Sequence, residues 1–254
     1  MSPYGAPQAH VPVALNVNEN THPVPKEVAD DILDAVALAL HSVNRYPDRE
    51  FTQLREGFAE YLGHGLVREQ LWAANGSNEV LQQVLQAFAG PGRTVFGFAP
   101  TYSMYPLLAR GTGSTWAAGE RGVDYTLEAD AAAAQVAQAQ ADVVLLCSPN
   151  NPTGTPLPIE VIERVYDATE GIVVVDEAYW EFAPRDERSA ITLLSDRERL
   201  VVSRTMSKAF AFAGARVGYL AADPAVVDAL RLVRLPYHLS ALTQAAAFAA
   251  LQHA

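Results

Sequence analysis

The chain has 254 residues, half of them hydrophobic and 19% charged, enough to bury a substantial core as one large domain or as a main domain with a smaller one. Its formal net charge of -11 argues against nonspecific attachment to nucleic acid or to an anionic membrane, which leaves small-molecule chemistry as the class to expect. No uninterrupted apolar run reaches membrane-spanning length, and Met1 to Pro7 carry neither a basic region nor an apolar signal core, so the expected location is the cytoplasm.

Residues 1–25 are rich in proline and asparagine around a short apolar stretch, Val11 to Val17, and read as an extended arm. Lys26 to Leu40 follows as a helix with a stripe of Val28, Ile32, Leu33, Val36 and Leu40, broken by Asn44-Arg45-Tyr46-Pro47-Asp48. Thr52 to Leu62 is a second helix with Leu54, Phe58, Tyr61 and Leu62 on one face. Trp72-Ala73-Ala74 reads as a short strand leading through Asn75-Gly76-Ser77-Asn78-Glu79 into a helix over Val80 to Phe88. Thr94 to Phe98 is a strand, with a helix after Pro100-Thr101-Tyr102, and Leu127 to Ala139 is an alanine-rich helix. Strands beginning at Val143, Ile172 and Leu200 alternate with helices such as Ile159 to Ala168, the pattern of an α/β fold with a mostly parallel sheet flanked by helices. Leu242 to His253 keeps a helical pattern to Ala254 without a glycine stop or polar tail, and the chain is therefore expected to be a fragment.

Three of the strands end in groups that can do chemistry. Val143-Val144-Leu145-Leu146-Cys147 runs into Ser148-Pro149-Asn150-Asn151-Pro152-Thr153-Gly154. Ile172-Val173-Val174-Val175 runs into Asp176-Glu177-Ala178-Tyr179, and Leu200-Val201-Val202 into Ser203-Arg204-Thr205-Met206-Ser207-Lys208. Open α/β sheets place their ligands at this carboxyl edge. Lys208 is one of only two lysines against sixteen arginines. A lysine amine can lose its proton when desolvated and act as nucleophile or base, which an arginine cannot do. Cys147 is the single cysteine and lies in a buried strand, where a small hydrophobe is the expected role. The six histidines show no metal-ligand spacing, so no metal site is expected.

An aliphatic strand ending in Asp-Glu also has the shape of a nucleotidase Walker B segment. Its partner motif is missing: no Gly-x-x-x-x-Gly-Lys-Ser/Thr occurs, and neither lysine follows a glycine. Asn151-Pro152-Thr153-Gly154, Asp176-x-x-Tyr179 and Ser207-Lys208 with Arg216 eight residues on instead resemble, in order and spacing, the aspartate-aminotransferase fold of pyridoxal-phosphate enzymes. Within that fold the chain is similar to the histidinol-phosphate aminotransferases. This closer resemblance rests on Leu15 to Asn20, Asn44 to Asp48, Gly76 to Glu79, Pro100 to Tyr105 and Thr205 to Gly214, and spans nearly the whole chain.

The resemblance implies fold type I, with residues 1–43 as arm and part of a small domain, residues 44–254 as the large cofactor-binding domain, and the small domain incomplete. It implies that Lys208 binds the cofactor aldehyde and later moves the substrate proton, while Asp176 pairs with the pyridine nitrogen. Asn151 and Tyr179 are expected at the ring 3-oxygen and Tyr102 on the ring face. Gly76, Ser77 and Asn78, at a helix start, would hold the phosphate with Thr205, Ser207 and Arg216. Tyr46 would reach the phosphate of a neighbouring subunit, which implies a homodimer with shared sites, and Tyr4 and Asn20 would line the substrate pocket. In isolation several of these have plainer readings: Asn151 as a turn residue before proline, Gly76 to Asn78 as a helix cap, Tyr102 as packing.

The implied reaction is amino exchange between L-histidinol phosphate with imidazole-acetol phosphate and glutamate with 2-oxoglutarate, in histidine biosynthesis. Two features depart from the family pattern: the carboxyl-terminal arginine that binds substrate carboxylate has no counterpart, and Asn20 is followed by Thr21 where the family has proline. The competing readings are an aromatic-amino-acid aminotransferase of the same fold, a pyridoxal-phosphate decarboxylase, and a fragment that turns nothing over. Preference for phenylalanine would mark the first and carbon dioxide release the second. Multiple turnovers by this chain would dispose of the third.

Overall fold

The computed structural model describes residue 11 and residues 14–254. Helices α1 (Lys26–Leu40) and α2 (Thr52–Leu62) precede a seven-stranded sheet. Its elements follow as β1 (Leu71–Ala74), α3 (Ser77–Phe88), β2 (Thr94–Ala99), α4 (Tyr105–Gly111), β3 (Thr115–Glu120), α5 (Ala129–Ala139), β4 (Val143–Cys147), α6 (Ile159–Asp167), β5 (Ile172–Asp176), β6 (Leu200–Thr205) and β7 (Gly218–Ala222). Helices α7 (Pro224–Val233) and α8 (Ala241–Leu251) close the described fold.

The strand order is β1-β7-β6-β5-β4-β2-β3, with β7 antiparallel to both its neighbours and every other pairing parallel. The expected α/β architecture is therefore present. Strands β4 and β5 are buried along their whole length, as a sheet covered by helices on both faces requires. From β2 the chain first adds β3 on one side and then crosses back to place β4 on the other. That reversal opens a crevice at the carboxyl ends of β2 and β4, the place where an open sheet can admit a ligand.

Register sets the chemistry at that edge. Cys147 on β4 lies opposite Asp176 on β5, and Asp176 opposite Ser203 on β6, so the three share one face of the sheet. At the other flank Thr205 and Ala74 both pair with Gly218. A Cβ on Gly218 would overlap the backbone of Gly76 and Ser77, so only glycine lets β7 approach the start of α3.

Several elements differ from the sequence reading for identifiable reasons. Helix α3 begins at Ser77 rather than Val80, because the apolar period starts only after a polar first turn of Ser77, Asn78 and Glu79. Helix α5 begins two residues later than expected and α8 ends two earlier. Strand β7 is short and rich in glycine and alanine, so it carries little strand propensity, and it is defined by pairing with β1 and β6. On α1 the expected stripe divides: Ile32 and Val36 pack against the core, Val28 is half-buried at an apolar cavity, and Leu33 and Leu40 are exposed. Among the described residues no helix is long and apolar enough to cross a membrane.

Candidate active site

A cavity of about 570 Å³ opens at the carboxyl edge of the sheet. Strand β5 delivers Asp176 and the turn after it Tyr179, the segment after β4 delivers Asn151, and β6 with the connection to β7 delivers Thr205, Ser207, Lys208 and Arg216. Ser77 and Asn78 come from the first turn of α3, and Tyr102 from the segment between β2 and α4. Ten residues far apart in sequence thus line one space.

Asp176 is the most deeply buried charge of the cavity, 3% exposed. Its Oδ2 accepts a hydrogen bond from the Tyr105 hydroxyl at 2.9 Å and its Oδ1 one from Ser203 Oγ at 3.1 Å. Burial pushes its carboxyl above the usual range, and the two hydroxyl donors pull in the opposite direction. Cys147, beside it, has its thiol pushed up to about 12 by burial and then by the Asp176 charge, so it is an inert buried thiol.

Glu177, the next residue, lies outside the cavity lining and serves another purpose. Arg204 donates to its Oε2 from Nε and Nη2 at 3.0 and 2.8 Å, and Ser189 Oγ and the Ala190 amide complete its shell. Glu181 lies 3.7 Å from the same guanidinium, so one buried arginine faces two carboxylates.

Lys208 is half-buried, and desolvation lowers its pKa, helped by the charge of Arg216 and opposed by Glu19. Its Nζ donates to the carbonyls of Asn18 at 2.9 Å and Val17 at 3.2 Å, so the amino-terminal arm lies across the amine. Tyr179 lies beneath the ammonium, ring centroid 5.5 Å away, and its hydroxyl accepts from Asn18 Nδ2 at 2.9 Å and Asn151 Nδ2 at 3.4 Å.

The opposite end of the cavity is rich in donors. Arg216 takes a left-handed backbone conformation (φ 55) that turns its side chain back, with Nη1 donating to Ser207 Oγ at 3.3 Å and to the Ala213 carbonyl at 3.0 Å. Gly76 has φ 88, and a Cβ there would overlap the Arg216 guanidinium. Helix α3 begins at this point without a side-chain cap, and the first amides of a helix have no partner within it. Thr101 Oγ1 is a buried hydroxyl of the same cavity without a hydrogen-bond partner among the described residues.

Other predicted residues lie elsewhere. Asn20 donates to the carbonyls of Lys208 and Ala209 and lines a neighbouring, more apolar cavity. Tyr46 is 80% exposed and stacks on Tyr237 with ring centroids 4.4 Å apart. Tyr4 is outside the described residues. The sequence reading did not single out Tyr105, Ser203, Thr101 or the arm backbone at Val17 and Asn18. Ser203 was recoverable from alternation, two residues before Thr205 on one strand. Tyr105 carried no such signal, because its bond to Asp176 joins residues 71 positions apart.

The family model for aminotransferase class I and II matches residues 11–254. A histidinol-phosphate aminotransferase of Paenarthrobacter aurescens (strain TC1) is 66% identical over 256 residues, with all of this chain and 69% of the relative covered. One of Thermobifida fusca (strain YX) is 56% identical over 253 residues, with 100% and 69% covered. The crystal structure of histidinol-phosphate aminotransferase from Sinorhizobium meliloti in complex with pyridoxal-5'-phosphate superposes with a TM-score of 0.83 at 28% identity. It covers 93% of this chain, which spans 63% of that one. The chain thus spans about two thirds of the length of these relatives.

Proposed function

The chain belongs to the class I and II aminotransferases, and on that premise we propose that it binds pyridoxal phosphate in this cavity and exchanges an amino group between L-histidinol phosphate with imidazole-acetol phosphate and glutamate with 2-oxoglutarate, in histidine biosynthesis. The observation that carries the reading is the convergence of one lysine, one buried carboxylate and one arginine-lined donor cup on a single cavity from three strand ends.

The donor set fits that cofactor. Asp176 is a buried carboxylate that bonds to no cation among the described residues, suited to a protonated ring nitrogen. Arg216, Ser207, Thr205 and the α3 amides suit a phosphate, the guanidinium giving fixed charge and the helix start a favourable dipole. Asn151 and Tyr179 suit the ring oxygen, and Tyr102, half-buried at the cavity wall with its hydroxyl on Asn78, suits the ring face. Pyridoxal phosphate supplies an aldehyde for the amine and a ring that withdraws electrons from the substrate α-carbon.

The protein's part is proton management. Lys208 would carry the proton from the substrate α-carbon to the carbon of the cofactor aldehyde, which requires a neutral amine; desolvation and Arg216 favour that form. The Val17 and Asn18 carbonyls accept hydrogen bonds from the same nitrogen, which places the arm backbone beside the reacting amine. Asp176 keeps its proton partner through fixed geometry, with Tyr105 and Ser203 on its two oxygens. Further parts of the proposal are a cytoplasmic homodimer in which the exposed Tyr46 reaches the neighbouring subunit's site, and a boundary near residue 43 between the arm region and the cofactor-binding domain.

The test is the visible absorbance spectrum of the chain with pyridoxal phosphate, before and after L-histidinol phosphate. A Lys208-dependent band that forms and is then lost to substrate supports the proposal. Lys208→Ala should abolish the band and Lys208→Arg should fail to restore it, since a guanidinium cannot replace the amine. A normal band in either variant would refute the assignment.

A further inference from the structure

Tyr105 is the first residue of α4 and fully buried, and a phenylalanine would fill nearly the same volume. A buried hydroxyl is costly unless it is hydrogen-bonded. Its acceptor here is Asp176 Oδ2 at 2.9 Å, while Ser203 from β6 occupies Oδ1 at 3.1 Å. Two donors from two different elements therefore fix the plane of a carboxylate that stands on a third. The Tyr105 ring also meets Tyr102 edge-on, with centroids 5.5 Å apart. One side chain thus touches both the carboxylate at the end of the cavity and the aromatic on its wall.

Resting on the cofactor reading above, we propose that Tyr105 is a positioning residue for the reaction: its hydroxyl aims the Asp176 carboxylate into the cavity while its ring braces Tyr102. The groups that face Asp176 are the Cys147 thiol from β4, the Ser203 hydroxyl from β6, Tyr105 from α4, and the Ala178 amide and Glu177 carboxylate next in the chain, with Lys208 and Arg216 lining the same cavity. The Tyr105 phenol is raised well above its ordinary value by burial and by the neighbouring Asp176 charge, so it stays a donor across the working range. The donor's role is to hold the carboxylate ionised where burial alone would favour its protonated form.

The experiment uses the 254-residue chain and two readouts, the first requiring no cofactor. Carboxyl carbon-13 NMR of aspartate-labelled chain follows the Asp176 titration, the resonance being assigned by its loss in Asp176→Asn. Tyr105→Phe keeps the ring and removes the donor, so the Asp176 midpoint should rise by about one pH unit, the scale of one hydrogen bond to a charge. Affinity for pyridoxal phosphate, read by absorbance titration, should fall about tenfold for the same reason. Tyr219→Phe is the control: Tyr219 is equally buried, but its hydroxyl has no hydrogen-bond partner among the described residues, and its loss should leave the Asp176 midpoint in place. If Tyr105→Phe does not fold, 3-fluorotyrosine at position 105, a stronger donor of similar shape, should lower the midpoint instead. An unmoved midpoint overturns the assignment of Tyr105 whatever the cofactor does. A moved midpoint in a chain that binds no cofactor supports the Tyr105–Asp176 link and overturns the proposed function.

Discussion

In the cofactor-free chain, Asp176→Asn should stabilise the fold while weakening its hold on pyridoxal phosphate. A buried carboxylate costs several kcal/mol after relaxation, even where it is hydrogen-bonded. Against that cost stand the bonds from Tyr105 at 2.9 Å and Ser203 at 3.1 Å. Each is worth about 1.5–3 kcal/mol to a charge and about 1 kcal/mol to a neutral group. An asparagine keeps both contacts, its oxygen accepting from one hydroxyl and its amide donating to the other, since a hydroxyl serves either way. The balance is a gain of about 1–2 kcal/mol at neutral pH. Because the folded-state pKa of Asp176 is raised, its contribution is fully present below the ordinary value of 3.8 and is lost as pH rises through the folded value. The variant suffers no such loss, so its advantage should be absent near the lower limit and complete at neutral pH. Urea denaturation followed by circular dichroism at both pH values measures this, and saturating pyridoxal phosphate should reverse the order of the two proteins. If the asparagine variant is less stable than the parent at neutral pH without cofactor, the carboxylate is structural and the reasoning fails.

Arg204→Met should cost about 3–5 kcal/mol, because it leaves the buried Glu177 and the half-buried Glu181 without their cation. A loss below about 1 kcal/mol in chemical denaturation would show that the pair is not held by this guanidinium. Gly76→Ala should displace the Arg216 head group and strain a backbone at φ 88, at a cost of about 1–3 kcal/mol, and weaken pyridoxal phosphate binding about tenfold. Unchanged affinity in an absorbance titration would remove Arg216 and the α3 start from the phosphate cup.

Much of this protein is legible without coordinates. The runs 143–147, 172–175 and 200–202 are aliphatic and β-branched, and burial on both faces of a parallel sheet demands that composition, so those strands were found. Asn151, Asp176, Tyr179, Ser207 and Lys208 sit at or just beyond their carboxyl ends, where chain direction alone brings them to one edge, and Arg216 is returned to that edge at the start of the antiparallel β7. Strand β7 was not legible, because a five-residue segment of glycine, tyrosine, leucine and alanine is made a strand by two partners already in place. The support of the cavity was equally hidden. Tyr105 reaches Asp176 across 71 residues, the arm carbonyls reach Lys208 across 190 and more, and Gly76 owes its identity to a guanidinium on another segment. Periodicity and turn chemistry act between neighbours in the chain, so the order of residues suffices to bring the strand-end groups to the sheet edge. Hydrogen bonds and close packing between distant segments depend on how the sheet is ordered and covered, so the aim, burial and charge of those groups follow from the folded arrangement.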